Sequence, residues 1–290
     1  MNPFIGTGIA LVTPFDEKGN VDYLSLEKLI DYNINRGINY LVALGTTAET
    51  PSLSKSEKLE VLKAIFSYNN NRLPIVIGSG GNNTKEVIDW ISELEQFPHQ
   101  GLLAVAPYYN KPSQEGMFQH FSAIAAFTTK PILLYNVPGR TSSNLLPKTA
   151  IRLANSFSHI RAIKEASGSM DQIMELVATK PDHFEVLSGD DGLTLAMMSV
   201  GAKGVVSVIA QAYPKQYSQM VNFCLDEDFS AARKLHYELL DITNSIYLEG
   251  NPTGIKTLLL ENQIISTEVL RLPLISASDE LKNLIAEKML

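Results

Sequence analysis

The apolar positions along this chain change their period repeatedly. Nearly continuous runs of Val, Ile, Leu and Ala occur at residues 8–12, 40–45, 74–78, 101–107, 131–135, 160–164, 184–188 and 204–208. Runs of about five residues without strict alternation predict parallel strands covered on both faces. Between them the apolar spacing becomes helical. Leu59, Leu62, Ile65 and Phe66 follow Ser54 and Glu57, a capping-box pattern. Val87, Ile88, Ile91 and Leu94 repeat the spacing after Thr84, Met117, Phe118, Phe121 and Ile124 after Ser113, and Ile173, Leu176 and Val177 after Ser169.

Strands alternating with helices imply βαβ units and a parallel sheet. Eight of them suit an α/β fold closed as a (β/α)8 TIM barrel. An open doubly wound sheet would normally carry a glycine-rich nucleotide turn after its first strand, and Thr13-Pro14-Phe15-Asp16 is not one. The strand signal stops at Tyr213. Residues 1–212 are read as the barrel core. Residues 213–290 are read as a C-terminal helical extension packed on it, with apolar spacing through Leu235, Leu239, Leu240 and Ile246, and again through Leu281, Leu284 and Ile285.

Composition narrows the function classes. The 290 residues would permit two domains, but the rhythm argues for one barrel with an appendage. No uncharged apolar run reaches the length of about 18 residues that a membrane helix needs. The N-terminus has no basic region leading into an apolar one, so no targeting segment is expected. The lone Cys224 excludes an intramolecular disulfide and a Cys-rich metal site, and it fits a reducing cytoplasm. The net charge of −7 argues against nucleic acid as a partner but says little about small anions, which respond to local charge. His99, His120, His159, His183 and His236 show no metal-ligand spacing and are read as surface residues.

Catalytic groups of such barrels sit at the C-terminal ends of strands. Those ends carry Gly45-Thr46-Thr47, Tyr108-Tyr109-Asn110, Tyr135-Asn136, Lys164-Glu165 and Gly189-Asp190-Asp191. Alternation puts Ile160, Ala162, Lys164 and Ala166 on one face, so Lys164 should point into the barrel. Desolvation there should lower its pKa and make it a nucleophile toward carbonyls, able to form a Schiff base. The other reading is a buried stem whose amine pairs with Glu165 or another acid. Tyr135, on the neighbouring strand, suits a proton relay or a plain core tyrosine. Thr46 and Thr47 offer hydroxyl and N–H donors to a carboxylate, or form a simple helix-entry turn. Arg140 suits a second carboxylate, or is a solvated loop arginine. Glu49 could cap the segment that follows it.

Five segments, in order, resemble the 4-hydroxy-tetrahydrodipicolinate synthase (dihydrodipicolinate synthase) family. They are Gly45-Thr46-Thr47-Ala48-Glu49-Thr50, Pro107-Tyr108-Tyr109-Asn110-Lys111-Pro112, Tyr135-Asn136-Val137-Pro138-Gly139-Arg140-Thr141, Ile163-Lys164-Glu165-Ala166-Ser167-Gly168 and Leu187-Ser188-Gly189-Asp190-Asp191. The resemblance covers essentially the whole chain. It implies a barrel lyase that condenses pyruvate with L-aspartate 4-semialdehyde, with no metal or organic cofactor beyond an imine on Lys164. By the same resemblance Tyr135, Thr46 and Tyr109 form the proton relay, Tyr109 reaching in from a neighbouring subunit of a homotetramer. Thr47, Val206 and Gly189 line the pyruvate side, and Arg140 holds the semialdehyde carboxylate. Asn82, Glu86 and Tyr108 match a lysine effector site, where Lys55 and Lys58 add cations that should weaken feedback. Ala48 stands where the family typically has glycine, and would be strained if that position requires a positive φ. The competing reading is another pyruvate-dependent aldolase on this barrel, such as N-acetylneuraminate lyase or a 2-keto-3-deoxy sugar-acid aldolase. Arg140 with Tyr108-Tyr109 favours the synthase.

Overall fold

The computed structural model describes residues 2–290. Eight parallel strands close in chain order into a barrel: β1 Gly6–Ala10, β2 Tyr40–Ala43, β3 Ile75–Gly78, β4 Gly101–Val105, β5 Ile132–Asn136, β6 Ile160–Glu165, β7 Glu185–Ser188 and β8 Gly204–Ser207. The helices are α1 Tyr23–Ile34, α2 Lys55–Asn69, α3 Thr84–Leu94, α4 Gln114–Phe127, α5 Pro138–Thr141, α6 Pro147–Ser156, α7 Met170–Thr179, α8 Thr194–Ser199, α9 Pro214–Leu225, α10 Phe229–Ser245, α11 Thr253–Glu261 and α12 Asp279–Lys288. The α9 helix packs on β1 and β8, α10 on α9, and α12 on both α10 and α11. Among the described residues no helix is long and apolar enough to cross a membrane.

Local chemistry sets the helix starts. Ser54 and Glu57 form the expected capping box on α2, and Ser113 and Ser169 cap α4 and α7. For α3 the cap is Asn83 rather than Thr84. The Thr84 hydroxyl instead meets His120 Nδ1 at 2.8 Å.

Two apolar layers form. Phe4, Tyr40, Val42, Val76, Leu103, Leu133, Ala162, Leu187 and Val206 fill the barrel interior, and a larger layer lies between the strands and the helices. Phe4 plugs the N-terminal end, edge-on to Tyr40 with ring centroids 6.4 Å apart. That leaves the C-terminal end open.

Three expectations are corrected. The first strand begins and ends two residues before the apolar run, because Gly8 must lie against Tyr40. A Cβ at Gly8 would come within 2.1 Å of that ring, so this strand starts with little apolar character. Ile160 belongs to the outer layer, not to the face of Lys164. The register between β5 and β6 shifts after Ile132, so Leu133 pairs with Ala162 and Tyr135 with Lys164. The histidines are not surface residues. His99 and His120 are buried and the other three half-buried. His99, His159 and His183 meet the carbonyls of Gly101, Ala125 and Ala154, so imidazoles serve here as ties between helix exits and strands.

Candidate active site

A cavity of about 220 Å³ opens at the C-terminal ends of the strands, where the barrel is not plugged. Its wall carries Thr46 and Thr47 after β2, Tyr135 on β5, Arg140 on α5, Lys164 on β6 and Gly189 after β7.

Lys164 is 6% exposed, and its Nζ stands 4.3 Å from the centroid of the Tyr135 ring. Room for its stem comes from Gly189. A Cβ there would fall 2.9 Å from both Cγ and Cε of Lys164. The alternative in which Glu165 pairs with this amine does not hold. Glu165 points the other way, as strand alternation requires. Its carboxylate accepts from Ser167 N at 2.7 Å, Asn136 Nδ2 at 3.1 Å and Gln172 Nε2 at 3.2 Å. Burial pushes the Glu165 carboxyl above its ordinary range. Asn136 and Glu165 thus clamp the ends of β5 and β6 behind the Tyr135–Lys164 pair. The amine lies over an aromatic ring and forms no salt bridge among the described residues, an arrangement that suits a covalent role better than an ion pair.

The Thr46–Ala48 segment is a single tight helical turn. It lies between two non-glycine residues of left-handed backbone, Leu44 and Glu49, each at φ 53°. Ala48 itself lies within the helical turn, so the strain expected there is absent. The turn is tied down on several sides. Thr13 Oγ1 donates to Ala48 O at 2.8 Å, Thr50 Oγ1 to Gly45 O at 2.9 Å, and Asn251 Nδ2 to Thr47 Oγ1 at 2.9 Å. Thr46 stays exposed at the mouth, beside the exposed Arg140.

Below the opposite rim, buried Asp191 accepts from Val208 N and Ile209 N, each at 2.9 Å, and from Tyr247 Oη at 2.8 Å. Asp190 reaches the cavity wall. Burial, and after it the charge of Asp191, raises its carboxyl pKa.

Two expected residues lie elsewhere. Val206 is buried within the barrel and does not line this cavity; Val208, two residues on, does. Tyr109 is 87% exposed at φ 71° and does not line it either. A larger cavity of about 550 Å³ shares Thr46, Tyr135 and Arg140 with the first and continues over Lys55, Lys58, Asn82, Glu86 and Tyr108. The sequence reading missed Tyr247 and Asn251, which reach the mouth from the connection between α10 and α11. The only available signal was the Asn-Pro punctuation at 251–252, which marks a turn and not a site.

Fold and site together define a class: (β/α)8 barrels whose open end holds a buried lysine against a tyrosine, ringed by hydroxyls and a guanidinium. Residues 3–289 match the Dihydrodipicolinate synthetase family, and the chain belongs to it. It is 46% identical over 283 residues, 98% of this chain and 96% of the relative, to the 4-hydroxy-tetrahydrodipicolinate synthase of Flavobacterium psychrophilum. The 4-hydroxy-tetrahydrodipicolinate synthase structure from Methylacidiphilum fumariolicum SolV superposes with a TM-score of 0.95 at 40% identity, over 98% of this chain and 94% of that one. The enzyme of Cyanidioschyzon merolae, solved with lysine bound, superposes with a TM-score of 0.95 at 32% identity, over 100% of this chain and 98% of that one.

Proposed function

We propose that this chain condenses pyruvate with L-aspartate 4-semialdehyde to give 4-hydroxy-tetrahydrodipicolinate, a lyase step of lysine and diaminopimelate biosynthesis, through an imine on Lys164. Family membership and the names of the close relatives support the reaction. The observation that carries the residue roles is the Lys164 amine, buried over Tyr135 with no carboxylate partner.

In this reading the Lys164 amine adds to the keto carbon of pyruvate. Tyr135 passes a proton to the carbinol oxygen, which leaves as water, and the imine forms. The protonated imine is the electron sink, so no metal or organic cofactor is required. Loss of a methyl proton gives the enamine, whose carbon attacks the aldehyde, and the new alkoxide takes a proton from the relay. The substrate's own amine then adds to the imine carbon, releases Lys164 and closes the ring. Thr47 and the turn's N–H groups hold the pyruvate carboxylate, and Arg140 holds the semialdehyde carboxylate. Gly189 and Val206 support the pyruvate side through the Lys164 stem and the layer beneath it. Thr46 links Tyr135 to Tyr109, which enters from a neighbouring subunit of a homotetramer. The exposure and left-handed backbone of Tyr109 support that placement. The enzyme works in the cytoplasm.

Incubation with pyruvate and borohydride, followed by peptide mapping, tests the chemistry. A reduced three-carbon adduct on Lys164 is expected, and its absence removes the mechanism. Turnover with semialdehyde but not with N-acetylneuraminate then separates the synthase from the sugar-acid aldolases.

Feedback by lysine at Asn82, Glu86 and Tyr108 is weak or absent in this reading. Lys55 and Lys58 share that cavity and place two side chains of the effector's own sign beside it. A lysine titration of activity that shows strong inhibition at sub-millimolar concentration would overturn it.

A further inference from the structure

The most deeply buried ion pair in the protein lies outside the reacting groups. Lys256 on α11 is 0% exposed and the Glu49 side chain 1%, and Lys256 Nζ donates to Glu49 Oε1 at 2.5 Å. Lys256 Nζ also donates to Val269 O at 2.9 Å and stands 4.2 Å from the centroid of the Phe15 ring. The second carboxylate oxygen of Glu49 accepts from Arg271 N at 3.0 Å. Every partner of this carboxylate therefore comes from the C-terminal third of the chain.

Glu49 is also the residue that ends the Thr46–Ala48 turn. Its N–H donates to Thr46 O at 3.2 Å, and its φ of 53° is a backbone state that a non-glycine residue holds only where its surroundings over-determine it. The same C-terminal segment touches the turn a second time, through Asn251 Nδ2 on Thr47 Oγ1. Residues 251 and 256 thus grip the turn at the Thr47 hydroxyl and at the residue that closes it. A buried ion pair is a poor source of stability, because desolvation offsets most of the attraction and apolar replacements of similar volume are often neutral. Fixing a geometry is the role that remains.

We propose that the Glu49–Lys256 pair is a positioning strut, through which the C-terminal helices hold the Thr46–Thr47 turn in register for the carboxylate of the keto acid. Neither residue touches substrate. The inference rests on the function proposed above, and it adds that pyruvate recognition depends on residues remote in sequence and outside the barrel strands.

The test is steady-state kinetics on the full chain with both charges replaced together, Glu49→Met with Lys256→Met, which leaves no buried charge unpaired. The KM for pyruvate is expected to rise about tenfold, the scale of one weakened charge-assisted hydrogen bond, with kcat and the KM for semialdehyde within about twofold. An unchanged pyruvate KM, or a parallel fall of all three parameters in a folded variant, overturns the strut. Should the double variant not fold, Glu49→Gln keeps the shape, removes the charge and carries the same readout. Borohydride trapping of the wild-type protein separates the two levels: no pyruvate label on Lys164 removes the functional reading itself, whereas label with an unshifted pyruvate KM in the variant removes only the strut.

Discussion

At the scale of single residues, what matters about Lys164 is the space around it. The sequence marked it as a lysine at a strand end. The structure shows why its amine is free: Glu165 is claimed by Asn136, Ser167 and Gln172, and Gly189 leaves a channel for the stem. Gly189→Ala puts a methyl group against Cγ and Cε of Lys164, so the protein should fold while kcat/KM falls about a hundredfold, the cost of displacing a reacting atom by roughly 1 Å. A variant with wild-type activity would show that the stem has slack. Tyr135→Phe keeps the ring under the amine and removes the hydroxyl. Its kcat should drop by 10²–10⁴-fold, on the order of one general acid–base contribution, with the Lys164 adduct still trappable. Loss of the adduct as well would make Tyr135 a packing residue. Lys164, Tyr135 and the two threonines were legible because a barrel strand's end fixes the chemistry expected there. Glu49 was not, because its partner Lys256 lies on a helix 207 residues away and no local pattern links them.

At the scale of elements, apolar rhythm gave strand and helix identity, and packing set the boundaries. The capping box of α2 does more than start a helix. Its Glu57 also pairs with Arg271 from the C-terminal segment, at 2.5 Å. The Arg271 guanidinium, with the Ser54 backbone, holds the Glu57 carboxyl down to about 2. A carboxyl whose folded pKa is depressed stabilises the fold fully above its ordinary value of 4.5, and that stability is lost as pH falls toward about 2. Glu57→Gln removes the titration but keeps an acceptor for Ser54. Thermal melts from pH 2 to 7 should therefore show the gap between wild type and variant largest above pH 4.5 and closed near pH 2. A gap independent of pH would assign the interaction to packing. The shift of register after Ile132 and the early start of β1 were illegible for a related reason: both depend on what a neighbouring strand presents, Ala162 in one case and Tyr40 in the other.

At the scale of the whole molecule, the barrel and the helices after it share one outer core, which runs from Ile9 and Leu41 to Leu258 and Ile285. Cys224 on α9 belongs to that core, and burial pushes its thiol up to about 11. A thiol reagent at pH 8 should therefore label Cys224 only when the protein opens, with a denaturant midpoint that coincides with loss of helical circular dichroism. Rapid labelling of the native protein would mean that α9 opens independently.

The sequence by itself determined the alternation of elements, the barrel they close into, and the chemistry placed at strand ends. Those features are periodic or local, and period and local composition are properties of a string. Only the tertiary structure decided that Tyr109 and Val206 lie off the cavity wall, that Tyr247 and Asn251 lie on it, and that Lys256 from a C-terminal helix pairs with Glu49, the residue that closes the turn after β2. Those depend on which distant segments share the space left after a barrel closes, and that space exists only once the chain has packed.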